Sequence, residues 1–492
     1  MSQLLSIDQG TTSSRATLYG GDGEAVATFS QPLTQHYPQP GWVEHDAEEI
    51  WLGQLDCVRK ALSGSEAGSV AGIGITNQRE TTVIWERATG KPLHRAIVWQ
   101  DRRTAEFTES LKREGVEPMV RQRTGLLLDP YFSASKLTWL LDAVPGLRAR
   151  CERGEVCFGT VDSWLIFRLT GGKSHVTDLS NASRTMLFNI ETLEWDDELL
   201  RLFRVPRAML PQVRGSAAHF GHTSAAVVGA EIPITGVAGD QQAALFGQGC
   251  FAPGMAKATF GTGAFVVMNC GTRPGSGEGV LSTIAWQLPG ETVRYALEGS
   301  IFIAGAAVQW LEEGLGMIEG PGEVEALARS VADTGGVYFV PALSGLGTPY
   351  WDPYARGVIA GLTRGSGRPH LARAALEAIA YQTVDAVRAM EGAGGVLLSE
   401  LRVDGGATRN DLLLEIQADL LGAPVLRPRC TESTSLGAAF LAGIGAGVLD
   451  TARIGSLWAL DRRFAPRLSR ERREEMHRGW KKCVQLSLGW AK

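Results

Sequence analysis

The sequence predicts an α/β protein built from two similar halves, and three observations lead there. Strand-like and helix-like segments alternate along the chain, which favours helices packed on a largely parallel sheet. Two short apolar runs, residues 70–75 (VAGIGI) and 232–238 (IPITGVA), each end in a polar cluster. Finally, residues 5–18 and 258–267 repeat one pattern: a strand, a turn of small and hydroxyl residues, and a second strand. Apolar runs of this length, bounded by turn residues, read as buried strands. Ligands in open α/β sheets bind at such strand ends.

Each element follows from its residues in order. Residues 5–18 form a hairpin turning at Gly10-Thr11-Thr12. Asp46 and Glu49 make an Asp-x-x-Glu capping box, and Trp51, Leu55, Val58 and Leu62 then recur at helical spacing. The strand at 70–75 leads into Asn77-Gln78-Arg79-Glu80-Thr81-Thr82, and the strand at 232–238 into Gly239-Asp240-Gln241-Gln242. Residues 247–254 contain Gly and Pro and read as a hinge, dividing the chain into units 1–248 and 249–492. The second hairpin turns at Gly261-Thr262-Gly263. Leu371, Ala375, Ala378, Ile379 and Ala386 mark an amphipathic helix. Leu401-Arg402-Val403 is a strand entering Asp404-Gly405-Gly406-Ala407, and Leu412, Leu413, Ile416 and Leu420 mark the helix after it. The Gly/Ala-rich run 433–449 reads as a buried helix rather than a membrane span.

Composition narrows the class of function. With 492 residues, 44% hydrophobic and 21% charged, the chain is long enough for two domains with sizeable cores. A net charge of -5, with both signs interspersed, favours neither a nucleic-acid partner nor a membrane surface, and membrane insertion is not expected. The opening segment, residues 1–8, lacks the basic and long apolar regions of a signal peptide. The seven cysteines include no Cys-x-x-Cys pair, which suits reduced thiols in a cytoplasm.

The strand-end motifs carry chemistry. Arg79 and Glu80 can grip a small polyol, one donating and the other accepting hydrogen bonds. Asp240 can act as a general base. The competing readings are a solvated surface pair for Arg79 and Glu80 and a helix cap for Asp240. The two hairpin turns offer backbone N–H groups and short hydroxyls to phosphates, with glycines permitting close approach. Taken alone, Gly10-Thr11-Thr12 is more often an ordinary hairpin turn than a phosphate site. Facing one another, the two turns would hold a polyphosphate between the halves, with Asp8 placed to order a hydrated Mg²⁺. No Walker A loop is present. His219 and His222 are too few ligands for zinc and read as surface loop.

These residues carry a family resemblance. Asp8-Gln9-Gly10-Thr11-Thr12-Ser13-Ser14-Arg15 resembles the phosphate loop of the FGGY carbohydrate kinases, in the actin/hexokinase/Hsp70 superfamily. The motif at 37–46 (YPQPGWVEHD), the Asn77–Thr82 motif, Asp129-Pro130-Tyr131-Phe132-Ser133 and Gly239-Asp240-Gln241-Gln242 are similar to those of the family's glycerol-phosphorylating branch, as is the stretch 348–357 (TPYWDPYARG). The likeness runs nearly end to end. It implies two ribonuclease-H-like domains flanking a catalytic cleft, and ATP-dependent phosphorylation of glycerol with Mg²⁺. Arg79, Glu80, Tyr131, Asp240 and Gln241 match the family's polyol ligands, and Asp240 its base; the polyol then contacts mainly the first half. Thr11, Thr12, Ser13 and Arg15 match the first phosphate loop, and Thr262 the second. Gly305, Gln309, Gly406 and Asn410 match positions lining the nucleotide. Trp99 and Phe265 match aromatics walling the polyol's carbon face, and Thr11 also borders the polyol. Asp8 and Asp240 are the residues expected to hold the metal, through water. A homodimer or homotetramer is implied. The stretch 223–230 carries no basic residue, so a Gly/Arg loop like the one that binds fructose 1,6-bisphosphate in some members has no counterpart. Related kinases of a ketopentose or erythritol, and a nucleotide-dependent clamp, are the alternatives.

Overall fold

The computed structural model describes residues 2–64 and 68–492; Met1, at the head of the opening segment, lies outside them. Among the described residues the first half forms a six-stranded sheet. Its centre is Gln3–Gln9, paired antiparallel with Ser13–Tyr19, which pairs with Ala25–Pro32. On its other side Gln3–Gln9 runs parallel to Val70–Asn77, which runs parallel to Pro233–Gly239. The second half repeats this connectivity. Met255–Phe260 pairs antiparallel with Ala264–Gly271, which pairs with Arg294–Ile301. Its other edge runs parallel to Glu400–Asp404 and then Val425–Pro428. Two antiparallel strand pairs followed by two parallel additions, in the same order in both halves, make two ribonuclease-H-like α/β units. Leu281–Trp286 and Leu460–Phe464 extend the second sheet at its edges.

The predicted helices form over Ala47–Leu62, Arg368–Gly394, Asp411–Leu421 and Ser433–Gly445. One local expectation is corrected. Asp46 caps its helix by accepting from the Glu48 N–H, but Glu49 does not close a capping box. Its carboxylate accepts from the Thr34 backbone instead, at 2.9 Å. A tertiary donor outcompetes the local one: the Thr34 N–H, just past the end of strand Ala25–Pro32, takes the Glu49 carboxylate.

The run at 433–449 shows why it is rich in glycine and alanine. Helix Ser433–Gly445 belongs to the second half in sequence, yet it packs on the first sheet and against helix Asp240–Gly247. A Cβ at Gly74 would overlap the Ala438 carbonyl, and one at Gly437 the Ala243 carbonyl. The two halves therefore meet backbone to backbone, which no larger side chain permits. Gly437→Ala is expected to cost ~1–3 kcal/mol or more, as over-packing does when only backbone can give way. Turnover should fall with it, because the displaced neighbour carries Asp240 at its first turn. Thermal melting with steady-state kinetics checks this; a variant matching the wild type in both would show that the helix crossing is loose.

Candidate active site

Three parallel strands end in register. Gln9 lies opposite Asn77, and Asn77 opposite Gly239. The first hairpin turn, the Arg79-Glu80 pair and Asp240 therefore emerge side by side from one edge of the first sheet. Asp240 is the first residue of helix Asp240–Gly247, with Gly239 at the cap position, so it is not the helix cap; its Oδ1 accepts from the adjacent Gln241 N–H at 2.7 Å. Glu80 adopts a left-handed backbone, φ 62°, uncommon for a residue with a side chain. Hydrogen bonds from Ser133 Oγ (3.0 Å) and Thr82 Oγ1 (3.2 Å) to its carbonyl hold that turn. Backbone strain of this kind persists only where the surroundings over-determine it.

Arg79 and Glu80 are not a surface pair. Their side chains are 2% and 1% exposed. Arg79 Nε lies 3.1 Å from Asp240 Oδ1, and Nη1 donates to Glu298 Oε2 at 2.5 Å. Arg184, wholly buried, donates from Nε to Glu80 Oε1 at 2.6 Å and from Nη2 to Glu298 Oε1 at 2.9 Å. Two cations and two anions thus share a dry site, beside an Asp240 side chain that is 32% exposed. Burial pushes the Glu298 carboxyl upward, but Arg184 and Arg79 override it and hold it at about 2. Gln241 accepts from the buried ammonium of Lys257, which also donates to Thr259 Oγ1 at 3.0 Å. Arg79 and Gln241 each bond a second-half residue, because the two sheets approach closely enough for buried side chains to cross the gap.

An aromatic wall adjoins the cluster. Trp99 Nε1 donates to Thr11 Oγ1 at 3.0 Å, and its ring meets Tyr131 edge-on at 5.5 Å. The Arg184 guanidinium stands 5.8 Å from the Tyr131 ring centre. Lys136, buried, donates to the carbonyls of Pro130 (2.7 Å) and Tyr131 (2.6 Å) and so fixes the Tyr131 loop. Phe265 lies on the second sheet between Thr259 and Ser300 and joins no ring pair among the described residues.

The two candidate phosphate loops are hairpin turns. Gly10 N–H donates to Ser13 at 3.0 Å, and Gly261 N–H to Gly263 at 2.9 Å. Thr12 sits in the first turn and Ser13 opens the strand after it; Thr12 accepts through its carbonyl from Leu33 N–H at 2.9 Å. Arg15 is ion-paired with Glu432 from the second half. Thr262 is exposed in the second turn, and Gly305 donates to the Gly261 carbonyl at 2.9 Å, opening helix Gly305–Gln309. Gly406 is exposed with open space beside it, whereas Asn410 is the cap of helix Asp411–Leu421, accepting from Leu413 N–H at 2.9 Å. Burial raises the Asp8 carboxyl to about 7, with Arg15 opposing and Asp240 adding to the rise. Two mutually repelling carboxylates at a phosphate loop suit a cation that binds through one or two carboxylates and substrate phosphates, as Mg²⁺ does. His219 and His222 are exposed, and no group of three metal-ligating side chains occurs among the described residues.

His45 supports the first loop from below. Its Nε2 lies 2.9 Å from Gln35 Oε1 and its Nδ1 3.2 Å from Gln78 Nε2. Gln35 in turn donates to the Thr11 carbonyl at 2.6 Å. Burial lowers the His45 pKa from 6.5 to about 4, partly opposed by Glu49. The unfolded chain thus binds more protons between these values, so this contribution to stability is complete above 6.5 and is lost as pH falls through 4. Ring ¹⁵N shifts should show His45 neutral at about pH 5.5, where an unperturbed imidazole is charged; a protonated ring at that pH would contradict this arrangement.

Arg184, Glu298 and Lys257 escape the sequence reading. Arg184 stands in a polar stretch, Glu298 in an apolar one, and Lys257 directly precedes the second hairpin, but the charged partners of Arg184 and Glu298 are far away in sequence, and only pairing across the chain reveals them. Glu298 and Lys257 do carry one signal: each is a charge inside a strand of mostly buried residues.

Residues 3–247 match the N-terminal domain of the FGGY family of carbohydrate kinases, and residues 256–446 its C-terminal domain. The glycerol kinase of Citrifermentans bemidjiense is 78% identical over 494 aligned residues, covering 100% of both chains. That of Thermus brockianus is 58% identical, covering 100% of this chain and 99% of its own. The crystal structure of Plasmodium falciparum glycerol kinase with ADP superposes with a TM-score of 0.95 at 36% identity, over 99% of this chain and 98% of that one. Gluconate kinase from Lactobacillus acidophilus, 22% identical with a TM-score of 0.88 over 99% of this chain and 96% of that one, shares the fold. Paired ribonuclease-H-like units, a carboxylate at aligned strand ends and matches to both family domains have one common explanation: the chain belongs to the FGGY family of carbohydrate kinases.

Proposed function

We infer that the protein transfers the γ-phosphoryl group of ATP to a terminal hydroxyl of glycerol, giving sn-glycerol 3-phosphate and ADP. The full-length relatives named glycerol kinase support the substrate. The observation that carries the mechanism is Asp240, a partly exposed carboxylate whose Oδ1 lies 3.1 Å from buried Arg79. Asp240 accepts the proton of the attacking hydroxyl as its oxygen bonds to the γ-phosphorus; the bond to the ADP oxygen breaks, and ADP leaves with the electron pair. Arg79 and Glu80 orient the polyol hydroxyls, with Gln241 and Tyr131 beside them, while Thr11, Trp99 and Phe265 border its carbon chain. Thr12, Ser13, Arg15 and Thr262 hold phosphates, and Gly305, Gln309, Gly406 and Asn410 line the nucleotide. Mg²⁺, near Asp8 and Asp240, would neutralise charge on the phosphates. Units 1–248 and 249–492 supply the polyol and nucleotide sides of the cleft. Seven free thiols support a cytoplasmic setting, and the family relationship supports a homodimer or homotetramer.

A coupled assay of ADP release across glycerol, dihydroxyacetone, erythritol and xylulose tests this reading. Glycerol is expected to give the highest kcat/KM. A higher value for xylulose or erythritol would overturn the assignment of substrate while leaving the family intact.

A further inference from the structure

The residues that touch the polyol in the proposed reaction are held by others that have no role so far. Arg79 is gripped by Glu298, and Glu80 by Arg184, whose second nitrogen returns to Glu298. Glu298 lies in strand Arg294–Ile301 of the second sheet, whereas Arg79, Glu80 and Arg184 come from the first half. The strand register shows how it gets there. Lys257, Val267 and Glu298 stand opposite one another across three neighbouring strands. Residues directly opposite in antiparallel strands project from the same face. That face carries a cation at one side and an anion at the other, and each finds a first-half partner: Lys257 meets Gln241, and Glu298 meets Arg79.

We propose that Glu298 and Arg184 are positioning residues that set the polyol specificity of the site, resting on the phosphorylation of glycerol inferred above. Arg79 alone, on a long side chain with many rotamers, has no fixed orientation. A charge-assisted hydrogen bond to Glu298, a second bond from Nη1 to Gln242 Oε1 at 3.3 Å and the ion pair of Nε with Asp240 direct its guanidinium and leave the remaining donors in a set direction. Arg184 does the same for Glu80 by occupying Oε1, which leaves Oε2 as the acceptor for a hydroxyl. Fixed donors and acceptors discriminate between polyols by hydroxyl position. Mobile ones would accept longer polyols too. Because Glu298 belongs to the second half, the ligand geometry also depends on how the two halves sit together.

The test uses the full-length protein with Glu298→Asp and Arg184→Lys, which keep both charges but shorten or unfork the contacts. The charge-balanced double variant Arg184→Gln/Glu298→Gln accompanies them. Each is measured for KM of glycerol, KM of ATP, the glycerol-to-erythritol ratio of kcat/KM, and melting temperature. The expected result is a glycerol KM raised at least ~10-fold with the ATP KM within ~3-fold, and a ratio shifted toward erythritol, as when a support shell is loosened. The double variant should melt close to the wild type, having no uncompensated buried charge, yet keep the raised glycerol KM. Should it fail to fold, the two charge-preserving variants decide the matter. Glycerol KM within ~2-fold of wild type in every folded variant, or parallel loss of both affinities, would overturn the proposal and leave a purely structural ion network. A wild-type protein inactive on glycerol would instead overturn the functional reading, and this inference with it.

Discussion

Asp240→Asn is expected to fold and bind ATP nearly as the wild type does while losing at least ~10²-fold in turnover, the range that removal of a general base costs. Asparagine keeps the shape, and its carbonyl can still accept from the Gln241 N–H and the Arg79 side that Asp240 Oδ1 faces. Arg79 keeps Glu298 and Glu80 as counter-charges, so no buried cation is stranded. What disappears is the proton acceptor. Single-turnover measurements separate this from slow product release. Retention of more than about half the wild-type rate would remove Asp240 from the role of base.

The second large effect is expected at the polyol ligands. Arg79→Ala and Glu80→Ala each leave a substrate hydroxyl without a partner in a dry pocket, worth ~1–3 kcal/mol. The glycerol KM should rise strongly while the ATP KM changes much less. The buried network adds a second consequence. Removing Arg79 leaves two carboxylates facing one guanidinium, and removing Glu80 leaves two guanidiniums facing one buried carboxylate. Breaking a buried ion pair from one side costs ~3–5 kcal/mol, so both variants should melt lower as well. Equal loss of affinity for glycerol and ATP, per folded molecule, would assign the pair to structure alone.

Much of the fold is legible in the sequence. The strands ending at Asn77 and Gly239 announce themselves by short apolar runs with turn residues after them, because strands buried on both faces have no polar alternation to obscure them. The hairpins announce themselves through Gly10 and Gly261, and the helices through their periodicity. Likewise Arg79, Glu80 and Asp240 stand in contiguous motifs, so their chemistry could be inferred from neighbours in the chain.

The chain by itself determined two similar α/β halves, their order of elements and the residues offered to a polyol and to phosphates. The tertiary structure alone decided how those residues are held. Glu298 lies 219 positions from Arg79, and Arg184 lies 104 from Glu80. The Gly/Ala-rich helix Ser433–Gly445 crosses to the other half's sheet, and Glu49 deserts its own helix end for Thr34. Periodicity and turn chemistry are local, and a sequence displays them directly. A buried charge is stable only beside its counter-charge, and which distant residue supplies it is settled by the packing of the two sheets, not by anything adjacent in the chain.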